Sequence, residues 1–416
     1  MKERAILVTV KIEHDKSTWD VVERENELSE LAKTAGAEII SVDVSHRDAP
    51  TPDLYIGSGK ADELAFDAAL KKADLIIFNN DLSGTQHRNL ERATSVRIVD
   101  RTQLILDIFA KRARSPEGKA QVELAQLEYR LPRLTGLGTE LSRLGGGIGT
   151  RGPGEQKLEE DRRRLRERIV DLRAELKGLE LRRSTTRGKR GEHSLPTIVF
   201  VGYTSAGKST LFNVLTGSRQ LISRGLFTTL DPLTRAINLS NHQKVLLSDT
   251  VGFIRELPHH LVDAFKATLE EVVEADILVH VLDISSPKAK EHYEAVLRVL
   301  EELGALRKEA ILVFNKIDLL EDDEKIKRLI RDNPGSVAIS ALKSLNLDGL
   351  LKMIEESVSD FVSELELVLP INRMELVDFI YSEGKVIDVQ YGEKEIRIKA
   401  ILPSISAKKL KDYIRR

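Results

Sequence analysis

The spacing of apolar positions along this chain changes three times. In residues 5–110, short apolar runs alternate with stretches of helical spacing. AILVTV (5–10), EIISVDV (38–44), LIIF (75–78) and VRIV (96–99) read as strands, and residues 20–34 have helical spacing. That alternation predicts a small N-terminal α/β domain over residues 1–111, with a mostly parallel sheet. From 112 to 190 leucines set the rhythm: Leu124, Leu127, Leu131 and Leu134, then Leu158, Leu165, Ile169, Leu172, Leu176 and Leu179. This stripe predicts two helices folded back as an antiparallel hairpin along a narrow apolar seam, with Arg162 where an apolar residue is wanted. Pro132 limits or kinks the first helix. Between the helices lies RLGGGIGTRGPGEQ (143–156), with six glycines. No core can be built from it, and it predicts a Gly-rich basic loop over 135–154, mobile without a partner. STTRGKRGEHS (184–194) reads as a linker.

From 191 to 363 the pattern returns to strand and helix. IVFVG, KVLLSDT, ILVHVLD, AILVFNK and SVAIS are near-continuous apolar runs, as a parallel sheet covered on both faces requires. Residues 364–416 form a small C-terminal α+β domain. There ELVLP, KVIDVQY and EIRIKAIL read as strands, with helices near 372–382 and 404–415. The expected fold class is thus α/β and multidomain.

Charge changes the picture locally. The 416 residues carry a net charge of only −2, yet residues 112–190 hold 20 basic and 12 acidic side chains, a local excess of about +8. A basic helical pair fits a phosphate-lined surface. Arg143 and Arg151 in the loop, and Arg162, Arg163, Arg164 and Arg166 in DRRRLRER (161–168), are the RNA-binding candidates. Ion pairs along a solvated face are the alternative for that helix, since Glu159, Glu160, Asp161 and Glu167 lie within reach. The chain has no cysteine, which excludes disulfides and thiolate metal sites and fits a cytoplasmic protein. No apolar run approaches the roughly 18 residues of a membrane span. His46, His87 and the His259–His260 pair show no metal-ligand spacing and read as surface or structural.

The candidate chemistry sits in the third segment. GYTSAGKST (202–210) fits G-x-x-x-x-G-K-[ST] between a strand and a helix. In that setting Gly202, Tyr203, Thr204, Ser205, Ala206 and Gly207 let backbone N–H groups wrap phosphate oxygens. Lys208 reaches the β- and γ-phosphates, Ser209 ligates Mg²⁺, and Thr210 continues the helix start. DTVG (249–252) ends a strand: Asp249 holds Mg²⁺ through water, and Gly252 N–H bonds the γ-phosphate. Between them FTTLDP (227–232) presents Phe227, Thr228 and Thr229. Thr229 is expected to reach Mg²⁺ only while the γ-phosphate is present. NKID (315–318) supplies Asn315 and Lys316 around a base, and Asp318 to accept from the guanine N1–H and N2 amino group, which selects GTP over ATP. SAL (340–342) adds Ser340, Ala341 and Leu342, with the Ala341 N–H toward guanine O6. Phe253 stands where a glutamine would orient the attacking water, so slow intrinsic turnover and stimulation by a partner are expected. Arg255 or Glu256 substituting in cis is the alternative.

These elements, in this order, resemble the translation-factor class of P-loop GTPases. Together with LYIGSGK (54–60), RLPRLTG (130–136), GGIGTRGPGE (146–155) and DTVGFI (249–254), the whole chain resembles the HflX family of ribosome-associated GTPases. The resemblance implies GTP as substrate and Mg²⁺ as cofactor. It also implies binding to the large ribosomal subunit, and splitting of stalled or idle 70S ribosomes in the GTP state. The protein would be cytoplasmic and monomeric when free. Members often carry Asn in the phosphate loop where this chain has Ser205, which leaves a K⁺ requirement open. A large-subunit maturation factor, a nucleotide-dependent RNA chaperone and a coiled-coil scaffold are the other functions that share these features. IGSGK (56–60) lacks full phosphate-loop spacing and reads first as a strand-to-helix turn capped near Ser58 or Gly59, with a secondary ATP site as the alternative.

Overall fold

The computed structural model describes residues 2–13, 19–134, 153–188, 195–218, 225–241, 243–255 and 266–415. By its packing the chain falls into two compact units. The first comprises Met1–Leu181, Ser223–Asp231 and Glu256–Ala267, and the second Arg182–Ile222, Pro232–Arg255 and Thr268–Arg416.

The first unit begins with strands β1 (Arg4–Ile12), β2 (Glu38–Arg47), β3 (Leu75–Phe78) and β4 (Arg97–Asp100). They form a parallel sheet in the order β2-β1-β3-β4. Helices α1 (Val21–Ala35), α2 (Ser58–Lys71), α3 (Gly84–Thr94) and α4 (Arg101–Arg112) connect and cover it. Ile6, Val8, Ile76 and Phe78 are fully buried in its core, as runs covered on both faces should be. Helix α5 (Pro116–Arg130) has Ser115 as its N-cap and Pro at its first position. It gives way to a 3-10 turn at Leu131–Leu134, before Pro132 can sit inside an α-helix.

Helix α6 (Pro153–Gly188) is the long partner of α5. Ala120, Leu124, Ile169 and Leu172 form the seam, flanked by Leu127, Leu131 and Leu176. Arg168–Glu123 and Arg173–Glu128 pairs, each 2.7 Å, close it at the surface. The helix runs through residues 184–188, which the sequence reading gave to a linker. By propensity Ser and Thr only weaken a helix, and a single glycine does not end this one, since Gly178 lies within it. The glycine loop, including Arg143 and Arg151, lies outside the described residues.

Asp100 ties this helical pair to the sheet. Its fully buried carboxylate caps α4 through Gln103 N–H (2.9 Å), accepts from Tyr129 Oη (2.6 Å) and pairs with Arg133 (3.0 Å). Burial first, then the Asp100 charge, pushes the Tyr129 phenol well above its ordinary range. Arg133 also stacks on the Tyr129 ring, 3.4 Å from its centroid.

The second unit holds a six-stranded sheet in the order β10-β9-β8-β5-β7-β6. Its strands are β5 (Thr197–Val201), β6 (Leu233–Asn238), β7 (Lys244–Asp249), β8 (Ile277–Asp283), β9 (Glu309–Asn315) and β10 (Ser336–Ala338). Strand β6 is antiparallel to β7, an edge the apolar pattern does not announce because LTRAIN is half exposed. Helices α7 (Lys208–Thr216), α8 (Lys266–Glu274), α9 (Ala289–Glu302), α10 (Asp323–Asp332) and α11 (Leu347–Ser357) accompany it. Phe200 and Phe212 meet edge to face in the core, 6.4 Å between centroids. The chain ends in an antiparallel sheet, β11 (Val362–Pro370), β12 (Lys385–Tyr391) and β13 (Glu395–Pro403), in the order β11-β13-β12. Helix α12 (Met374–Glu383) and the short α13 (Ser404–Lys409) close its core. The last expected helix is therefore shorter, and Leu367 pairs with Ile414 in its place.

Candidate nucleotide site

The phosphate loop leaves β5 at Gly202 and enters α7 at Lys208. Strand β5 lies between β7 and β8, where the strand order reverses, and open α/β sheets bind ligands beyond the strand ends at that point. Gly207 has φ +98°, and a Cβ there would meet Asn315 Nδ2 at 2.3 Å, so no side chain fits. Tyr203, Thr204 and Ala206 are buried under the loop, Thr210 is half-buried, and Ser205 is exposed with φ 61°.

Lys208 is buried, and its Nζ donates to the carbonyls of Gly202 and Tyr203, both at 3.0 Å. Burial pushes its ammonium down to about 8, and the Asp249 charge opposes that shift. Ser209 Oγ donates to Asp249 Oδ2 at 2.6 Å. A hydroxyl and a carboxylate meeting at a helix start are hard oxygen donors, a set that fits Mg²⁺. Gly252 passes so near Lys208 that a Cβ on it would sit 3.1 Å from Nζ.

Phe253 is 1% exposed, so its ring is core. Its backbone is zipped to the phosphate loop: Phe253 N–H donates to Gly202 O (3.1 Å), and its carbonyl accepts from Thr204 N–H (2.7 Å). Arg255 is buried as well, and its N–H donates to Tyr203 Oη at 3.0 Å. Glu256 lies outside the described residues.

On the base side, buried Asn315 joins two loops. Its Nδ2 donates to Ala206 O (2.8 Å), and its Oδ1 accepts from Ala341 N–H (3.0 Å). The sequence reading aimed that N–H at a guanine oxygen; here its bond goes to Asn315. Asp318 accepts from the buried Ser340 Oγ at 2.5 Å. Lys316 has φ 68° and donates through Nζ to Asp283 Oδ2 at 2.6 Å, while Leu342 is 73% exposed beside them.

Two residues escaped the sequence reading. Asp283 closes the run ILVHVLD, and an acid at the end of a buried strand was the available signal. His280, in the same run, is buried and stacks on Tyr293 (5.0 Å). Burial, then the Lys208 charge, pushes its imidazole down to about 4 and keeps it neutral.

The structure does not group every expected residue with the phosphate loop. Phe227, Thr228 and Thr229 belong by packing to the first unit, whereas Gly202–Thr210, Asp249 and Asn315 belong to the second. The helix arginines all have carboxylate partners. Arg162 and Arg166 lie 3.8 and 3.6 Å from Glu159, Arg163 lies 3.7 Å from Glu167, and Arg164 lies 2.7 Å from Glu160.

Three family models match the chain in succession: GTP-binding GTPase N-terminal (23–110), GTP-binding GTPase Middle Region (112–190) and 50S ribosome-binding GTPase (197–316). The GTPase HflX of Caldanaerobacter subterraneus subsp. tengcongensis is 48% identical over 99% of this chain and 94% of its own length. The chain belongs to the HflX family of GTPases. The HflX protein of Escherichia coli K12 is 42% identical, over 98% of this chain and 95% of its own. A GTP-binding protein of Sulfolobus solfataricus, solved in complex with GDP, is 28% identical over 86% of this chain and 99% of its own, with a TM-score of 0.46. As an HflX-family GTPase the protein binds GTP and hydrolyses it to GDP and phosphate. Among the described residues no helix is long and apolar enough to cross a membrane.

Proposed function

We propose that this GTPase acts on ribosomes: in its GTP form it binds the large subunit and separates 70S particles, and hydrolysis releases it. The observation that carries the ribosome assignment is the match of its G domain to a family described as 50S ribosome-binding GTPases. The local excess of basic residues on the helical pair supports an RNA surface. The ion pairs on α6 are surface pairs worth at most about 1 kcal/mol each, so phosphates compete for those arginines at little cost. Such a protein works in the cytoplasm.

Within the site, Lys208 exchanges two carbonyl partners for phosphate oxygens. The phosphate-loop N–H groups and the start of α7 hold the same anion. Ser209 and, through water, Asp249 would hold Mg²⁺. When bound, Mg²⁺ neutralises charge on the phosphates. Asn315 fixes the distance between the phosphate loop and the base loop, and Asp318 reads the guanine edge. The Phe253 ring has no polar atom to orient water, and it is buried. We infer that the ribosome supplies or aligns the group that activates water.

The test is sedimentation of 70S ribosomes with the protein and a non-hydrolysable GTP analogue, beside a variant with Gly145, Gly146 and Gly147 changed to alanine. Free subunits with wild type, and bound but intact 70S with the variant, support splitting by the loop. Intact 70S with co-sedimentation on large subunits alone sinks splitting and favours the maturation role.

A further inference from the structure

Near its start, helix α9 carries two neighbouring rings, His292 and Tyr293. Tyr293 stacks on His280 of β8, 5.0 Å between centroids and 10° between planes, which ties the helix to the sheet. His292 stacks on Tyr203 of the phosphate loop, 4.1 Å between centroids and 14° between planes. Tyr203 is buried, so its ring sits in a fixed seat under the loop. All of these residues belong to the second unit, which also holds the phosphate loop, Asp249 and Gly252.

The far end of Tyr203 reaches the segment that follows DTVG. Its Oη accepts from the buried Arg255 N–H at 3.0 Å. That bond lengthens a short seam. Tyr203 and Phe253 already form a parallel bridge, through Phe253 N–H to Gly202 O and Thr204 N–H to Phe253 O. Backbone bonds alone would end at Phe253, and the phenol carries the seam two residues further. A buried N–H is costly to leave without an acceptor, so Arg255 follows wherever the Tyr203 hydroxyl is held. Gly252 lies inside this arrangement. Before it, Thr250 Oγ1 donates to Phe200 O of β5 at 2.7 Å; after it come Phe253 and Arg255. A Cβ on Gly252 would meet Thr204 Cα at 3.0 Å and Lys208 Nζ at 3.1 Å, so its backbone rests directly on the phosphate loop.

We propose that His292 is a positioning residue for recognition of the γ-phosphate: stacked on Tyr203, it holds the phenol that fixes Arg255 and so keeps Gly252 beside Lys208. The inference deepens the nucleotide site read above, and it rests on Gly252 as the γ-phosphate contact. GDP lacks that phosphate, so a held Gly252 favours GTP alone. A segment free to move must be ordered each time GTP binds, which costs backbone entropy. A segment already seated on the phosphate loop is preorganised and binds without that cost. His292 acts at one remove, through the Tyr203 ring.

The experiment compares binding of GDP and of a Mg²⁺-loaded, non-hydrolysable GTP analogue to the full chain. His292→Ala removes the stack and is expected to lower affinity for the GTP analogue about fivefold relative to GDP. GDP affinity in this variant stays at the wild-type value and reports that the protein is folded. His292→Phe keeps a flat ring against Tyr203 and is expected to restore the ratio. Tyr203→Phe keeps the ring and removes the acceptor for Arg255 N–H; it is expected to lower the ratio by a similar factor. Adding His292→Ala to Tyr203→Phe should lower it little further, because both act through one hydroxyl. An equal loss for both nucleotides in His292→Ala, or a ratio that His292→Phe leaves low, overturns the proposal. Gly252→Ala separates the two readings. If Gly252→Ala lowers the preference for the GTP analogue while His292→Ala leaves it unchanged, the role of His292 is overturned and Gly252 stands. If Gly252→Ala leaves the preference intact, Gly252 is not the γ-phosphate contact and the role of His292 falls with it.

Discussion

Two turns in this chain lead into a helix with glycine, serine and lysine, one of them straight from a strand, and they do opposite things with the lysine. In IGSGK the helix α2 starts at Ser58, and Gly57 with φ +83° is the cap, with no side-chain hydrogen bond. Lys60 then pairs with Asp43 at 2.7 Å and Glu63 at 2.9 Å. Burial alone would lower its pKa, but the two carboxylates outweigh burial and hold it above the usual lysine value. In GYTSAGKS the lysine is deeper, and the described contacts of its Nζ are two backbone carbonyls. Its charge is held by dipoles rather than cancelled, which leaves it ready for an anion. Among the described residues, then, the two turns differ less in their glycines than in the partners of the lysine: carbonyls at Lys208, carboxylates at Lys60.

The largest expected effect tests that contrast directly. Lys208→Ala removes a charge-assisted contact to phosphate and should weaken GDP and GTP binding about a hundredfold, close to 3 kcal/mol. Lys60→Ala should change either affinity less than about twofold. Titration with a fluorescent guanine nucleotide reads both. Adenine-nucleotide binding that survives Lys208→Ala and disappears in Lys60→Ala would break the comparison and restore a second site.

A change of pH sharpens it. The free protein holds Lys208 with a pKa lowered to about 8, and bound phosphates favour the ammonium form. Nucleotide affinity is then flat below about pH 8 and falls toward tenfold per unit above it, with proton uptake on binding. Calorimetry with GDP at about pH 8.5, in two buffers of different ionisation enthalpy, measures that uptake. Lys60, held protonated by its partners, contributes none. Equal heats in both buffers would place the Lys208 pKa well above the working range.

How much of this was legible in sequence follows the range of the interactions. The phosphate loop is local: Gly202, Gly207, Lys208 and Ser209 sit within one turn, so spacing alone placed them between β5 and α7. NKID and SAL were legible as strand ends, but the bond from Ala341 N–H to Asn315 was not, because it closes between two separate strand ends. Ser115 N–H donates to Asp231, 116 residues away, and no periodicity links them. The helix α4 has no separate reading in sequence: RTQLILDIFAKR buries Leu104, Ile105, Leu106, Ile108 and Phe109, a nearly continuous apolar run that periodicity alone does not tell from a buried strand. Arg133 showed only as part of a motif; its buried partner Asp100 stands just past the run VRIV (96–99), and the structure makes it the last residue of β4.

The smallest effects carry the sign of the comparison. Lysine to methionine keeps the length of the side chain and removes the charge. At position 208 the folded protein holds a buried ammonium whose pKa is lowered from 10.5 to about 8, so below pH 8 that charge opposes folding. Lys208→Met should raise stability of the nucleotide-free protein by about 1–2 kcal/mol at neutral pH. The wild type should recover that difference between about pH 8 and about pH 10.5, as the folded lysine loses its proton before the unfolded one. At position 60 the sign reverses. Lys60→Met leaves Asp43, 19% exposed, without its cation, and should cost about 1 kcal/mol after allowance for solvent screening. Asp43→Asn added to Lys60→Met should return most of that loss. Urea unfolding of each full-length variant reads both differences. A stabilising Lys60→Met would mean that this lysine too is held against the interest of the fold, which is the mark of a binding group and the reverse of a structural one.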